Sequence, residues 1–202
     1  APEAAARLAA AVPGAPMLAS AEAVIAACDC LYVASPPAFH LAHAKAAFAA
    51  GKAAFLEKPL SVSTEEARAF VAAAEASGAR GAVNFPMASS PAVAQLNAWR
   101  AEGAVGAPRE LSITTAFAAW PRSWQRDAHT WLDKPQQGGF TREVVSHFLF
   151  LTRRQLGPMA LEAARATFAA PGRSETAIAA RLAAGGVPVA LSGGVGTTLA
   201  DD

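Results

Sequence analysis

Lys58, Glu143 and His147 are the residues whose types and positions best suit acid–base chemistry on a small molecule. Lys58 follows a strand-like apolar run and precedes Pro59, so the sequence predicts it between the end of a strand and the start of a helix. Enzymes built on parallel sheets bind their ligands at such junctions. An ammonium group there can donate to a substrate oxygen and exchange a proton with it, whereas a lysine in a solvated loop has no such role.

Glu143 and His147 stand four residues apart in a segment with helical periodicity, so we expect their side chains on one helix face. Two interpretations remain open. If both line a pocket, the carboxylate favours the protonated form of His147. If Glu143 pairs instead with Arg142 or Arg153 at the surface, it contributes little, and His147 is a hydrogen-bonded core residue.

Other histidines and the cysteines do not form a metal-binding pattern. His40 and His43 lie about one helical turn apart, but no third ligand of suitable type is near them in the sequence. Cys28 and Cys30 match no zinc spacing, and two cysteines do not make a disulfide framework. We therefore expect no metal, and the cysteines fit a reducing, cytoplasmic location.

The composition argues against two classes of partner. The 202 residues carry a net charge of +1 with no run of like charges, whereas nucleic-acid-binding proteins usually present a basic surface. Apolar runs such as residues 148–151 are far shorter than the roughly 20 residues that span a membrane. We expect neither a nucleic acid nor a membrane as a partner.

Strands alternate with helices up to residue 84. Three short apolar runs have the composition of strands: residues 30–34, 53–56 and 81–84. Helical patterns precede and separate them, starting at Pro2, Ser20, Phe39 and Ser63. This alternation predicts a parallel sheet with helices on both faces and strands buried on both sides.

The pattern changes beyond residue 90. We predict one more helix to about Glu102, a strand at residues 111–119, a tryptophan-bearing loop at residues 121–137 and a long helix at residues 139–156. Three strand-like runs follow, with a Gly-Gly turn between the last two: residues 161–169, 176–184 and 187–191. Consecutive hairpins indicate an antiparallel sheet, and thus a second domain distinct from the first.

Several motifs follow one another in a recognisable order. They are Ser35-Pro36-Pro37 with His40, Gly51-Lys52 ahead of Glu57-Lys58-Pro59, and Gly138-Gly139 leading to Glu143 and His147. This order resembles the Gfo/Idh/MocA (glucose–fructose oxidoreductase-like) family of NAD(P)-dependent oxidoreductases, and the resemblance covers nearly the whole chain. It implies an α/β fold: an incomplete Rossmann-type parallel sheet in residues 1–86, followed by an α+β substrate-binding and oligomerisation domain with a mainly antiparallel sheet in residues 87–202.

The resemblance also implies what individual residues do. NAD or NADP would bind along the residues that border the nicotinamide: Ser35, Pro36, Pro37, His40, Glu57, Lys58 and Asn84. Lys58, His147 and Glu143 would be catalytic, with His147 contacting the substrate hydroxyl or relaying its proton. The substrate would be a sugar, polyol or similar small molecule, and the protein would be a homo-oligomer.

The sequence departs from the family pattern in three places. The family opens with a strand, a glycine-rich turn and a helix that bind the pyrophosphate, and no G-x-G-x-x-G occurs here. We therefore expect the chain to start inside that domain, and the residue that separates NAD from NADP to precede Ala1. We also expect the second domain to be incomplete at its C-terminus. Glu143 stands where relatives commonly have aspartate, and Phe85, Pro86 and Met87 include no arginine where many relatives carry one.

The loop ahead of Gly138 combines tryptophans with basic residues. They are Trp120, Trp124 and Trp131 with Arg122, Arg126 and Lys134. This combination suits a sugar-like ligand, and it suits a contact between subunits about as well. Two alternatives to an enzyme remain: a non-catalytic nucleotide-binding regulator on the same fold, and an α/β protein that binds no nicotinamide. Lys58 and His147 favour the enzyme.

Overall fold

A parallel three-stranded sheet forms the first half of the molecule. The computed structural model describes residues 2–198. The strands are β1 (Cys30–Val33), β2 (Ala53–Glu57) and β3 (Gly81–Asn84), in the order β1-β2-β3. Both pairings are parallel, so the carboxyl ends of all three strands meet at one edge of the sheet. Residues that follow the strands are thereby brought together, although they are far apart in the sequence.

Four helices precede and connect these strands. They are α1 (Pro2–Ala11), α2 (Ala21–Ala27), α3 (His40–Ala49) and α4 (Thr64–Ser77). The hydroxyls of Ser20 and Ser63 cap α2 and α4, each accepting a hydrogen bond of 3.2 Å from a backbone N–H of the first turn. Gly78 ends α4 in the left-handed conformation, with a φ of 67°. The alternation predicted from the sequence is confirmed.

The described helices cover only one face of this sheet. Their apolar residues form one core with those of the strands: Ile25, Leu31, Val33, Leu41, Ala44, Ala47, Ala54, Leu56 and Phe70. On the opposite face Tyr32 and Phe55 are 54% and 38% exposed, and their rings stack with centroids 5.6 Å apart. The prediction that the strands are buried on both sides is therefore wrong for the described residues. Successive right-handed crossovers in one direction place their helices on the same face.

A second sheet of four strands has the order β4-β7-β6-β5. Its strands are β4 (Leu111–Phe117), β5 (Met159–Phe168), β6 (Glu175–Ala184) and β7 (Val187–Val195). The two hairpin pairings are antiparallel as predicted, and Gly185 and Gly186 turn the chain between β6 and β7 with φ of 54° and 83°. β4 pairs with β7 in parallel, so the sheet is mixed. No local sequence pattern predicts the pairing of β4 with β7, because the two strands are far apart in the chain.

Three helices belong to the second half: α5 (Pro91–Ala101), α6 (His129–Leu132) and α7 (Ser146–Leu156). The segment expected to be a loop contains α6 and a 3-10 turn at Ser123–Ala128. The long helix expected at residues 139–156 begins as a π-helical turn, Thr141–Val145, and continues as α7. A 3-10 turn at Pro86–Ser89 joins the halves, and the division of the chain after residue 86 stays a prediction. None of the helices within residues 2–198 has both the length and the apolar composition needed to cross a membrane.

Phe140 is the largest fully buried side chain of the second core. It is 0% exposed and packs against the rings of Phe117 and Trp120 at centroid distances of 5.6 and 6.1 Å. Its Cα directly precedes the π-helical turn that carries Glu143. The packing of Phe140 therefore fixes where that turn begins.

We expect Phe140→Ala to lower the free energy of unfolding by about 3–5 kcal/mol, because it removes a fully buried aromatic ring and leaves a cavity. Phe39→Ala is the matched control, since Phe39 is 54% exposed and should lose less than about 0.5 kcal/mol. Urea denaturation followed by circular dichroism measures both. Equal effects of the two substitutions would contradict the assignment of Phe140 to the core.

Candidate active site

Lys58 and Glu143 form an ion pair that joins the two halves of the molecule. The Lys58 Nζ atom donates to the Glu143 Oε2 atom at 2.5 Å and to the backbone oxygen of Glu143 at 2.9 Å. The two side chains are only 13% and 8% exposed. The surface pairing of Glu143 with Arg142 or Arg153 is therefore not formed. Removing one partner would leave the other charge buried and unmatched, which typically costs about 3–5 kcal/mol.

Lys58 owes its position to the end of β2. β2 ends at Glu57, and the next residue, Lys58, precedes Pro59 through a cis peptide bond. Because β2 is the central strand of its sheet, its end lies between the ends of β1 and β3. The predicted placement of Lys58 at a strand-to-helix junction is what the backbone shows.

His40 is a fully buried residue that ties two loops of this edge together. Its ring is 0% exposed. The Nε2 atom lies 2.7 Å from the backbone oxygen of Ser35, and the Nδ1 atom lies 2.8 Å from the backbone oxygen of Pro59. Both ring nitrogens are thus occupied by protein groups. The ring holds the loop after β1 against the loop that carries Lys58, and neither nitrogen is turned toward a ligand.

Glu57 lies in a hydrogen-bond network across all three strands. Tyr32 of β1 donates its hydroxyl to the Glu57 Oε1 atom, and the Asn84 Nδ2 atom of β3 donates to the same oxygen at 2.8 Å. Burial raises the pKa of Glu57, but these hydrogen bonds and the charge of Lys58 outweigh it, so the pKa is lowered. The hydrogen bond to Glu57 raises the pKa of Tyr32. Glu57 is therefore a fixed carboxylate, and no direct bond links it to the Lys58 side chain.

The segment of Ser35, Pro36 and Pro37 leaves the end of β1 at the same edge. The Ser35 hydroxyl oxygen is buried and has no hydrogen-bond partner among the described residues. Pro37 starts a 3-10 turn, and the N–H of Ala38 in that turn donates to the side chain of Gln137 at 3.4 Å. This loop thus contacts both the sheet edge and the second half of the chain.

His147 faces the same region from the first turn of α7. The ring of Phe85, just beyond β3, lies edge-on to it at a centroid distance of 5.8 Å and stacks on Phe150 at 4.0 Å. Burial lowers the pKa of His147, the charges of Lys58 and Arg122 lower it further, and Glu57 offsets only part. The charge of Glu143, which was expected to favour a protonated His147, is matched by Lys58, and the pKa of His147 is lowered.

Gly138 and Gly139 place the π-helical turn that carries Glu143. A Cβ atom on Gly138 would overlap the backbone of Leu132, and Gly139 has a φ of 111° with the Glu175 carboxylate beside it. Glu175 accepts the backbone N–H of Thr141, which satisfies a donor at the start of the turn. π-Helical turns are rare and recur at functional sites. The Gly-Gly pair recognised in the sequence is thus explained by close backbone packing.

Several buried polar side-chain atoms lack a hydrogen-bond partner among the described residues. They include the Ser35 Oγ, Trp120 Nε1, Arg122 Nε, Thr141 Oγ1, Arg142 Nη1, Glu143 Oε1 and His147 Nδ1 atoms. Buried polar groups in proteins are normally hydrogen-bonded, and exceptions require a reason. A ligand held between the sheet edge, Glu143 and His147 would supply that reason for three of them. This donor and acceptor set fits the ribose and amide groups of a nicotinamide nucleotide and a hydroxylated substrate.

Arg122 is a charged residue of this region. By sequence alone it is only one of six aromatic and basic residues in the loop ahead of Gly138. Its guanidinium carbon lies 4.8 Å from the centroid of Trp124 and 5.2 Å from that of Phe117. Its charge reaches His147, whose pKa it lowers. The signal in the sequence was the basic and aromatic composition of the loop, but nothing in that composition separates Arg122 from its basic neighbours.

Comparison with known proteins shows which family the first part of the chain resembles. Residues 1–85 match the family described as oxidoreductase family, NAD-binding Rossmann fold, of the Gfo/Idh/MocA type. The resemblance predicted from the motifs is confirmed over these residues. No curated protein matches the chain.

Solved structures share the fold over almost the whole chain. An oxidoreductase from Thermotoga maritima has a TM-score of 0.84 at 19% identity, with 97% of this chain and 62% of that one covered. The WlbA dehydrogenase from Bordetella pertussis, in complex with NADH and UDP-GlcNAcA, has a TM-score of 0.82 at 23% identity, covering 100% and 60%. An NAD-binding oxidoreductase from Klebsiella pneumoniae has a TM-score of 0.78 at 22% identity, covering 95% and 55%. The chain thus spans little more than half the length of these proteins.

We expect the imidazole of His147 to titrate below the ordinary histidine value of about 6.5, since burial and two cations disfavour its charged form. Lys58→Met should raise this pKa by removing one of the cations, and it also frees the Glu143 carboxylate. NMR titration of the histidine ring resonances, assigned with His147→Gln, measures both values. Lys45→Met, on the exposed side of α3, should leave the pKa unchanged. A His147 pKa above 6.5 in the unsubstituted protein would contradict the geometry.

Proposed function

We propose that this chain is part of an NAD(P)-dependent oxidoreductase that interconverts a hydroxyl and a carbonyl group on a sugar, polyol or similar small molecule. The observation that carries the proposal is the buried ion pair of Lys58 and Glu143, with His147 beside it, at the edge of a parallel sheet. The family match of residues 1–85 to NAD-binding oxidoreductases supports the choice of cofactor.

The cofactor half of the site would be formed by the residues at the three strand ends. Ser35, Glu57, Lys58 and Asn84 carry the hydroxyl, carboxylate, ammonium and amide groups that suit the nicotinamide ribose and amide. Pro36 and Pro37 would contribute backbone atoms. His40 would not touch the cofactor but would hold the loop after β1 against the loop after β2. Bound NAD or NADP supplies the carbon centre that accepts or donates a hydride.

Lys58 would act on the substrate oxygen as a hydrogen-bond donor. An ammonium group held by Glu143 stays in place and stabilises negative charge that develops on that oxygen. The second oxygen of Glu143 is buried without a partner among the described residues, so it is available to a substrate hydroxyl. Glu143 would therefore position both Lys58 and the substrate.

His147 would move the proton. Its lowered pKa keeps the ring neutral near pH 7, and its Nδ1 atom is buried without a partner among the described residues. In alcohol oxidation a neutral imidazole accepts the hydroxyl proton, and in carbonyl reduction the protonated ring returns it. A neutral histidine in this place suits a base better than a permanent charge would.

The alternative of a non-catalytic regulator is disfavoured by the cost of this arrangement. A protein that only binds a nucleotide has no need of a buried lysine paired across two halves of the chain, nor of a histidine kept neutral beside it. The regulator would bind NAD or NADP without turning over any substrate. Binding with no turnover would therefore favour the regulator.

We expect Lys58→Met to lower turnover by about a hundredfold or more, the usual effect of losing a positioned acid or base. Lys45→Met, which removes an exposed lysine from α3, is the matched control and should leave turnover unchanged. Rates of NAD(P)H formation with a panel of sugars and polyols measure the effect. Lys58→Met leaves the buried carboxylate of Glu143 without a partner, which could unfold the protein. The double variant Lys58→Met with Glu143→Gln removes that charge as well and provides a folded reference. Near-normal turnover in either variant would remove Lys58 from this role.

We also propose that the exposed edge strand of the second sheet, β5, contacts another copy of the chain. β5 is exposed along nearly its whole length, and Leu161 and Phe168 are 65% and 56% exposed. Large apolar side chains exposed together on a sheet often mark a contact between proteins. Leu161 pairs with Leu182, which is buried in the core under α7, so this apolar surface lies on the α7 side of the sheet, at its β5 edge, and is the natural surface for a homo-oligomer.

If this pairing occurs, Leu161→Glu should shift the protein toward the monomer, because it places a charge in an apolar contact. Val71→Glu, on the exposed side of α4 at 41% exposure, is the matched control and should leave the assembly unchanged. Sedimentation velocity over a range of concentrations measures the assembly state. A protein that is monomeric without substitution would refute this proposal.

A further inference from the structure

Arg122 carries a guanidinium group that packs against two aromatic rings. Its guanidinium carbon lies 4.8 Å from the centroid of the Trp124 ring and 5.2 Å from that of the Phe117 ring. A cation that packs on the face of a ring keeps its N–H donors for other hydrogen bonds. The two rings thus hold the group in place and leave its donors for a ligand.

One of the two rings that pack on Arg122 also packs against the core beside Glu143. The ring of Phe117 packs edge-on against buried Phe140 at a centroid distance of 5.6 Å, and Phe140 precedes the turn of Glu143. The backbone N–H of Arg122 donates to the side chain of Gln125 at 3.0 Å, which closes the loop on itself. Arg122 is therefore held by packing at a set position relative to Glu143.

Two observations make Arg122 a candidate for binding a ligand near His147. Its Nε atom is buried and has no hydrogen-bond partner among the described residues. Its charge is close enough to His147 to act on that ring. The ion pairs found among the described side chains, Lys58 with Glu143 and Arg173 with Asp133, do not include Arg122.

We propose that Arg122 binds an anionic group of the substrate, a carboxylate or a phosphate, so that the substrate of this site is an acidic or phosphorylated sugar and not a neutral polyol. The inference rests on the proposed function and deepens it. Lys58 cannot fill this role because its charge is already matched by Glu143, whereas a planar guanidinium binds the paired oxygens of such anions through two parallel hydrogen bonds.

The test is direct binding to the full chain in the presence of saturating NAD or NADP. Calorimetric titrations compare D-glucuronate, D-glucose 6-phosphate and D-glucose, which share a ring and differ in charge at the same end. We expect one of the two anions to bind at least about tenfold more tightly than glucose, because a hydrogen bond between charged groups contributes binding free energy of that size. Which anion does so identifies the group as a carboxylate or a phosphate.

The substitution Arg122→Gln should abolish this preference and leave the affinity for glucose unchanged. Arg122→Lys keeps the charge but loses the planar fork, so it should retain only part of the preference. Arg154→Gln removes one exposed arginine from α7 and is the control for net charge. Circular dichroism of each variant verifies folding, and the lysine variant serves if the glutamine variant does not fold.

Three results would overturn the inference. The first is that neither anion binds more tightly than glucose. The second is that the preference survives in Arg122→Gln, and the third is that it is lost to the same extent in Arg154→Gln. Binding is measured without turnover, so failure of the proposed reaction is separate: a chain that prefers an anion through Arg122 and forms no NAD(P)H retains the inference and loses the reaction.

Discussion

The buried ion pair of Lys58 and Glu143 is the interaction on which the rest of the site depends. It places a lysine from a sheet edge against a helical turn from the other half of the chain, with both side chains largely shielded from water. Two such charges are costly to bury unless each meets the other at close range. The sheet edge and the π-helical turn must therefore keep their relative position for the pair to stay matched. The same arrangement brings His147 close to Lys58.

Buried contacts behind the ion pair keep its two sides in place. His40 joins the loops after β1 and β2 through both of its ring nitrogens, and Glu57 joins Tyr32 to Asn84 across the strands. On the other side, Phe85 stacks on Phe150 of α7. Some residues that the motifs single out therefore have structural partners on both sides and are not free to contact a ligand. His40 is the clearest case.

The charges of the site divide into those already matched and those left for a ligand. Lys58 is matched by Glu143, and the Glu57 carboxylate accepts two hydrogen bonds from its neighbours. Burial and the charges of Lys58 and Arg122 lower the pKa of His147, which favours the neutral ring that the proposed proton transfer requires. Arg122 is held by aromatic rings rather than by an acid among the described side chains. An enzyme that polarises one oxygen and binds a separate anion needs this division.

The sequence by itself determined the strands and helices of the first half, the hairpins of the second, and the strand-end position of Lys58, because periodicity, caps and glycines are local signals. The parallel pairing of β4 with β7 and the single covered face of the first sheet depend on distant segments, and no local pattern encodes them. The same holds for the partner of Glu143. Helical spacing put it near His147, but only the tertiary structure brought Lys58 to it, and the pKa of His147 is lowered where a protonated ring was expected.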